Sequence, residues 1–131
     1  MTPEQKIKHI IIHQTALWKE VLPPTVTDVN VDDLYDELVE HDEHWDALYD
    51  VREGEVETNL PCPSSRHYES KSVASSTPSG EWVGWTYWYG GGKYSEPEDI
   101  DWMSEAYDLD CVETERLVTV REFSKRESNY D

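Results

Sequence analysis

Residues Glu81 to Tyr89 bring Trp82, Val83, Trp85, Tyr87, Trp88 and Tyr89 together in one run. Aromatic and β-branched side chains suit a pleated, half-buried surface, so this run reads as the strongest strand in the chain. Side chains alternate between faces along a strand, and here aromatics fall on both. Such a strand is central: it needs neighbours at its edges and a layer over at least one face. The rest of the chain is constrained to supply both.

Gly90-Gly91-Gly92 ends the strand, and Thr77-Pro78-Ser79-Gly80 is a turn signal leading into it. Arg66 to Ala74 reads as the preceding strand. A hairpin over Tyr107–Val112 and Leu117–Phe123 supplies two more. Between the two strand pairs, Ser95-Glu96-Pro97-Glu98 forms a capping box that opens a short helix through Trp102 and Met103 to about Ala106. Residues 55–65, with Pro61-Cys62-Pro63, read as an extended linker, and residues 126–131 as a frayed end.

The covering layer comes from the N-terminal part. Thr2, Pro3, Glu4 and Gln5 form a helix start, with a capping hydroxyl, proline at the first helical position and acid in the first turn. Ile7, Ile10, Ile11, Ala16 and Leu17 give an apolar stripe, predicting a helix over 3–20 that stops before Leu22-Pro23-Pro24. Asn30 can cap a second helix over 31–53, ended by Gly54. Its apolar face is Val31, Leu34, Leu38, Trp45, Leu48 and Tyr49. Asp42 falls within that stripe, so a bend is expected near His41–Asp42. The expected fold is one α+β domain of 131 residues: two N-terminal helices on a four-stranded antiparallel sheet of order ββαββ.

Charge is as unevenly distributed as aromaticity. The chain holds 29 Asp/Glu against 11 Lys/Arg, a net charge of −18. That balance excludes a broad basic surface for nucleic acid or anionic lipid. Six Trp and eight Tyr are too many for a disordered acidic tail. Residues 28–57 carry thirteen acids and one base, Arg52, for −12, and residues 96–115 carry nine acids and no base. The remainder is slightly positive. A straight helix over 31–53 would be about 35 Å long and would carry ten acids against that one base, a negative rod with charge spaced much as on one DNA strand.

Catalytic constellations are not apparent. Gly90-Gly91-Gly92-Lys93 lacks the earlier glycine and the Ser/Thr of a phosphate loop, Tyr87 and Tyr94 standing at those positions. His9/His13 and His41/His44 are two-residue pairs, short of the three or four converging ligands of a zinc site. Cys62 and Cys111 read as reduced thiols of a cytoplasmic protein. Among so many acids no particular carboxylate pair can be singled out. No enzyme activity, metal or cofactor is expected. No run of about 20 apolar residues is present, no signal peptide is apparent ahead of the first helix, and no membrane association is expected.

The small size, concentrated acid and aromatic-rich body resemble phage-encoded proteins that antagonise host nucleic-acid enzymes by mimicking DNA. The segments Ser65-Arg66-His67-Tyr68-Glu69-Ser70 and Trp82-Val83-Gly84-Trp85-Thr86-Tyr87-Trp88-Tyr89-Gly90-Gly91-Gly92-Lys93 also look like small phage and prophage proteins over residues 60–125. The resemblance implies an inhibitor of a restriction, CRISPR, repair or transcription enzyme, acting in the host cytoplasm. The expected partner is a bacterial nucleic-acid-binding protein. The expected contact residues are Asp32, Asp33, Asp36, Glu40, Glu43 and Asp50, with Asp99, Asp101 and Glu105 as a second patch and Tyr94 and Trp102 as aromatic anchors. Two other readings compete: an assembly module that forms homo-oligomers through its aromatic face, and a small metal-dependent hydrolase.

Overall fold

The computed structural model describes residues 1–93, 95–115, 117, 119 and 121–125. Three helices precede a four-stranded antiparallel sheet, so the α+β class stands. Helix α1 (Pro3–Trp18) begins with the expected box: the Thr2 hydroxyl accepts from the Gln5 amide, and the Gln5 side chain accepts from the Thr2 amide. Its end precedes the prolines. Glu20 takes a left-handed φ of 57°. The Glu20 amide donates to the Leu17 carbonyl and the Val21 amide to that of Ala16, the paired bonds of a Schellman stop.

The same device divides the second predicted helix. α2 (Val31–Glu40) and α3 (Trp45–Arg52) are separated by Asp42 at φ 53°. The Asp42 amide donates to the Val39 carbonyl and the Glu43 amide to that of Leu38. A polar residue in the apolar stripe thus marks a complete helix end rather than a bend. No 35 Å rod exists. Each piece is about 12–15 Å long at ~1.5 Å per residue, and each packs on α1.

The strands are β1 (Val56–Glu57), β2 (Glu69–Ser76), β3 (Trp82–Tyr89) and β4 (Tyr107–Leu109), lying side by side in that order. β2 and β3 form the expected central hairpin, with Val73 opposite Trp85 and Ser76 opposite Trp82. The outer strands differ from the ββαββ order. Gly54, at φ 79°, turns the chain out of α3 so that Val56 and Glu57 pair with Ala74 and Val73, inside the segment read as a linker. On the other side Tyr107 to Leu109 pair with β3 itself rather than with a following strand. The described residues of 117–123 belong to no strand; Val118 and Val120, like Tyr94, Arg116 and 126–131, lie outside the described residues. The helix predicted after Ser95 shrinks to a 3-10 turn, Pro97–Asp99. Asp101 explains part of this, because its carboxylate accepts from the Ser104 amide and hydroxyl and so competes with helical bonding.

The helices cover one face of the sheet. Ile7 and Ile11 from α1, Ala47 and Val51 from α3, and Val73, Val83 and Trp85 from the strands form the core. Trp85 is fully buried, and its indole N–H donates to the Arg52 carbonyl at 2.8 Å. On the other face Gly84 leaves room for Tyr107 and Leu109; a Cβ there would stand 2.7 Å from the Tyr107 ring. Chain 61–63 is tied to that face by the Ser70 and Ser72 hydroxyls, which donate to the Pro63 and Pro61 carbonyls. Lys6 clamps α1 to the sheet, its ammonium 2.6 Å from Asp108 and 3.4 Å from Glu81. Among the described residues no helix is long and apolar enough to cross a membrane.

Candidate acidic interface

Successive helical residues turn by about 100°, which sorts α2 into two faces. Val31, Leu34, Tyr35 and Leu38 fall together on the inward side, and all are buried or half-buried. Asp32, Asp33, Asp36, Glu37 and Glu40 fall together on the opposite side, and all are exposed. Five carboxylates therefore share one face of a ten-residue helix. Only Asp32 of these is ion-paired among the described residues, 2.9 Å from Lys8 of α1. That bond and one from the Gln5 amide hold the Asp32 carboxyl below its usual range. Glu43, in the turn after α2, is paired with Lys19 and lowered for the same reason. α1 thus partly neutralises two of the six expected contact residues in 31–53.

The single base of the acidic segment does not serve that role. Arg52 points inward from α3, 9% exposed. Its guanidinium donates to the Trp88 carbonyl and lies 4.8 Å over the Tyr87 ring. No carboxylate pairs with it among the described residues, so the outer faces of α2 and α3 keep their charge.

The second acidic stretch approaches the first across α1. A shallow groove of about 360 Å³ is lined by Glu4, Lys8 and Tyr35 on one side and by Glu98, Asp99 and Asp101 on the other. Burial raises the Tyr35 phenol, and the charges of Glu4 and Asp36 raise it further. Next to Asp99 and Glu98 a further carboxylate is crowded. Glu96 is held above its usual range by a hydrogen bond and repulsion from Asp99, by burial, and by repulsion from Glu98. Asp99 and Asp101 thus line the groove beside Tyr35, whereas Asp32 and Asp36 lie outside it, Asp32 linked to it through its ion pair with Lys8. Asp50 lies elsewhere, in a cleft with His13, Gln14, Glu55 and Thr77. Glu105 is exposed and lines neither cleft.

The aromatic anchors are reassigned. Trp102 is 6% exposed and packs on Trp85 at 5.2 Å between ring centroids, so it is a core residue and cannot reach a partner. Tyr94 lies outside the described residues. Among the described residues the exposed large rings are instead Trp18, Trp45, Tyr49 and Phe123. Trp45 and Tyr49 were expected on the inner face; restarting the helix after Asp42 shifts its phase, so Ala47, Val51 and Arg52 face inward and the two aromatics outward. The signal available for this was Asp42 itself, whose misfit implies a new register beyond it.

Among the described residues no three His, Cys, Asp or Glu side chains stand close enough together to hold a metal ion. Among the described residues the Nδ1 of buried His44 has no hydrogen-bond partner, nor has the Nδ1 of His9. Cys62 and Cys111 are free thiols. Gly90 and Gly91 adopt positive φ, consistent with the turn that follows β3. No protein-family model matches the chain, and no match was found among curated proteins or solved structures.

Proposed function

We propose that this chain is a non-enzymatic inhibitor of phage type, which occupies the basic nucleic-acid-binding site of a bacterial defence or nucleic-acid-processing protein. The observation that carries this reading is the carboxylate face of α2, left largely uncompensated because Arg52 is turned into the core. Five acids along about 15 Å approach the charge density of one DNA strand, about one per 3.4 Å. Like charges at i,i+4 cost a helix several tenths of a kcal/mol per pair. Asp32/Asp36, Asp33/Glu37 and Asp36/Glu40 all stand at that spacing. A face maintained against that repulsion suits a basic cleft, where complementarity gives fast association and salt sensitivity.

The test is capture of proteins from a bacterial lysate, in low and high salt, by the wild type and by a variant with Asp33→Lys, Asp36→Lys and Glu40→Lys. None of these three side chains is ion-paired among the described residues, so the fold is expected to survive. The proposal requires that the wild type retain a nucleic-acid-binding protein at low salt, that duplex DNA release it, and that the variant fail to retain it. Equal retention by the variant would refute the proposal.

A further inference from the structure

The outward side of α3 differs from that of α2 in carrying rings as well as charge. At about 100° per residue, Trp45, Tyr49, Glu53, Asp46 and Asp50 follow one another round a single sector of about 140°. All five are exposed, whereas Ala47, Leu48, Val51 and Arg52 fill the remainder and face inward. Trp45 and Tyr49 are 47% and 46% exposed, and their rings stack at 5.9 Å with an interplanar angle of 26°. Beneath them His44, 5% exposed, lies 4.4 Å from the Trp45 ring and 6.2 Å edge-on from Tyr35. The indole is thus fixed before any partner arrives, and preorganisation lowers the entropy lost on binding.

We infer that this ledge selects arginine side chains of the basic partner, a role that rests on the proposed function and narrows its chemistry. A guanidinium is planar: it stacks on Trp and Tyr while its N–H fork pairs with a carboxylate. The α3 sector offers rings on one side and Asp46 and Asp50 on the other, with Glu53 between them. Ammonium groups have no flat face and are more strongly hydrated, so lysine gains the charge attraction but little of the stacking. The carboxylate face of α2 has no exposed ring and treats the two cations alike. Arginine preference therefore belongs to α3, and charge-driven affinity to both helices.

Fluorescently labelled octa-arginine and octa-lysine peptides, titrated in low salt into the wild type and into a Trp45→Leu/Tyr49→Leu variant, separate these contributions. The wild type is expected to bind the arginine peptide about five- to tenfold more tightly, from one or two cation–π contacts. The variant is expected to bring the two peptides within about twofold by losing those contacts, with lysine-peptide affinity unchanged. An unchanged thermal unfolding transition reports that the variant is folded. In the unmodified protein, the Trp45 indole N–H resonance should shift with the arginine peptide and not with the lysine peptide. Equal affinity of both peptides for the wild type overturns the ledge and leaves the acidic reading standing. Failure of both peptides to bind overturns the two together. Sedimentation completes the test: a wild-type dimer that the Leu variant dissolves would show the ledge to be covered by a second copy, and the inference would be wrong.

Discussion

Glu20 and Asp42 do work in this chain that glycine usually does. Each occupies the left-handed position just past a helix, where a Cβ costs roughly 1–2 kcal/mol. Aspartate tolerates that region better than glutamate because its short side chain bonds locally. Glu20→Gly is therefore expected to raise stability by about 0.5–1 kcal/mol, after allowance for the added freedom of glycine in the unfolded chain. Asp42→Gly should gain less; chemical denaturation of both variants checks the order. The opposite change at Gly84 meets the Tyr107 ring at 2.7 Å and the Leu109 side chain at 2.8 Å. Gly84→Ala should cost about 1–3 kcal/mol through overpacking and should loosen β4, read as faster amide exchange at Tyr107 to Leu109. The stop at Asp42 was legible only as a bend, from a polar residue within the apolar stripe, and nothing about Glu20 announces positive φ. The prolines at 23 and 24 pointed to the end of α1 a few residues late.

At the scale of elements, the strong signals came through and the phase did not. The capping box of α1, the β2–β3 hairpin and the stop at Gly54 all follow from local chemistry that the sequence displays. A two-residue strand such as β1 has no periodicity to show, and the pairing of β4 depends on an edge of β3 that exists only once the sheet has formed. The restart of the helix after Asp42 turned Trp45 outward, and separately Trp102 is held in the core against Trp85. Arg52 carries this one step further. Arg52→Met removes the donor to the Trp88 carbonyl and should destabilise by about 1–3 kcal/mol. Because its guanidinium does not neutralise the outer face, the salt dependence of partner binding should stay as in the wild type. The α1–sheet seam adds a pH response. Burial lowers the His9 imidazole, with His13 adding to the effect and Glu81 opposing it. The folded state holds this proton less well than the unfolded chain, so the His9 contribution is full above about pH 6.5. It is lost as pH falls from there through the folded value. Denaturation at a series of pH values from about 7.5 to 5.5 should show stability declining, and the decline should be shallower in His9→Gln.

For the whole molecule, the division of charge read from the sequence acquires a geometry. Asp99 and Asp101 from the second acidic stretch line a groove with Glu4, Lys8 and Tyr35, and Asp32 of the first stretch is paired with that same Lys8, while Glu43 and Asp50 sit apart from that groove. What the sequence could not supply was the pairing of cations: Lys8 lies in α1 and Lys19 just past its end, and their approach to Asp32 and Glu43 requires the tertiary fold. The claim that the remaining acids address a basic cleft rests on electrostatics, and electrostatics between exposed groups is screened within about 10 Å at 0.1 M salt. The most direct measurement is the affinity for a partner retained from lysate, followed from about 50 to 500 mM salt for the wild type and for the Asp33→Lys/Asp36→Lys/Glu40→Lys variant. The account predicts a steep loss of wild-type affinity with salt, and weaker binding with a clearly shallower salt dependence by the variant. Affinity indifferent to salt in the wild type, or a variant that follows the same curve, would contradict it.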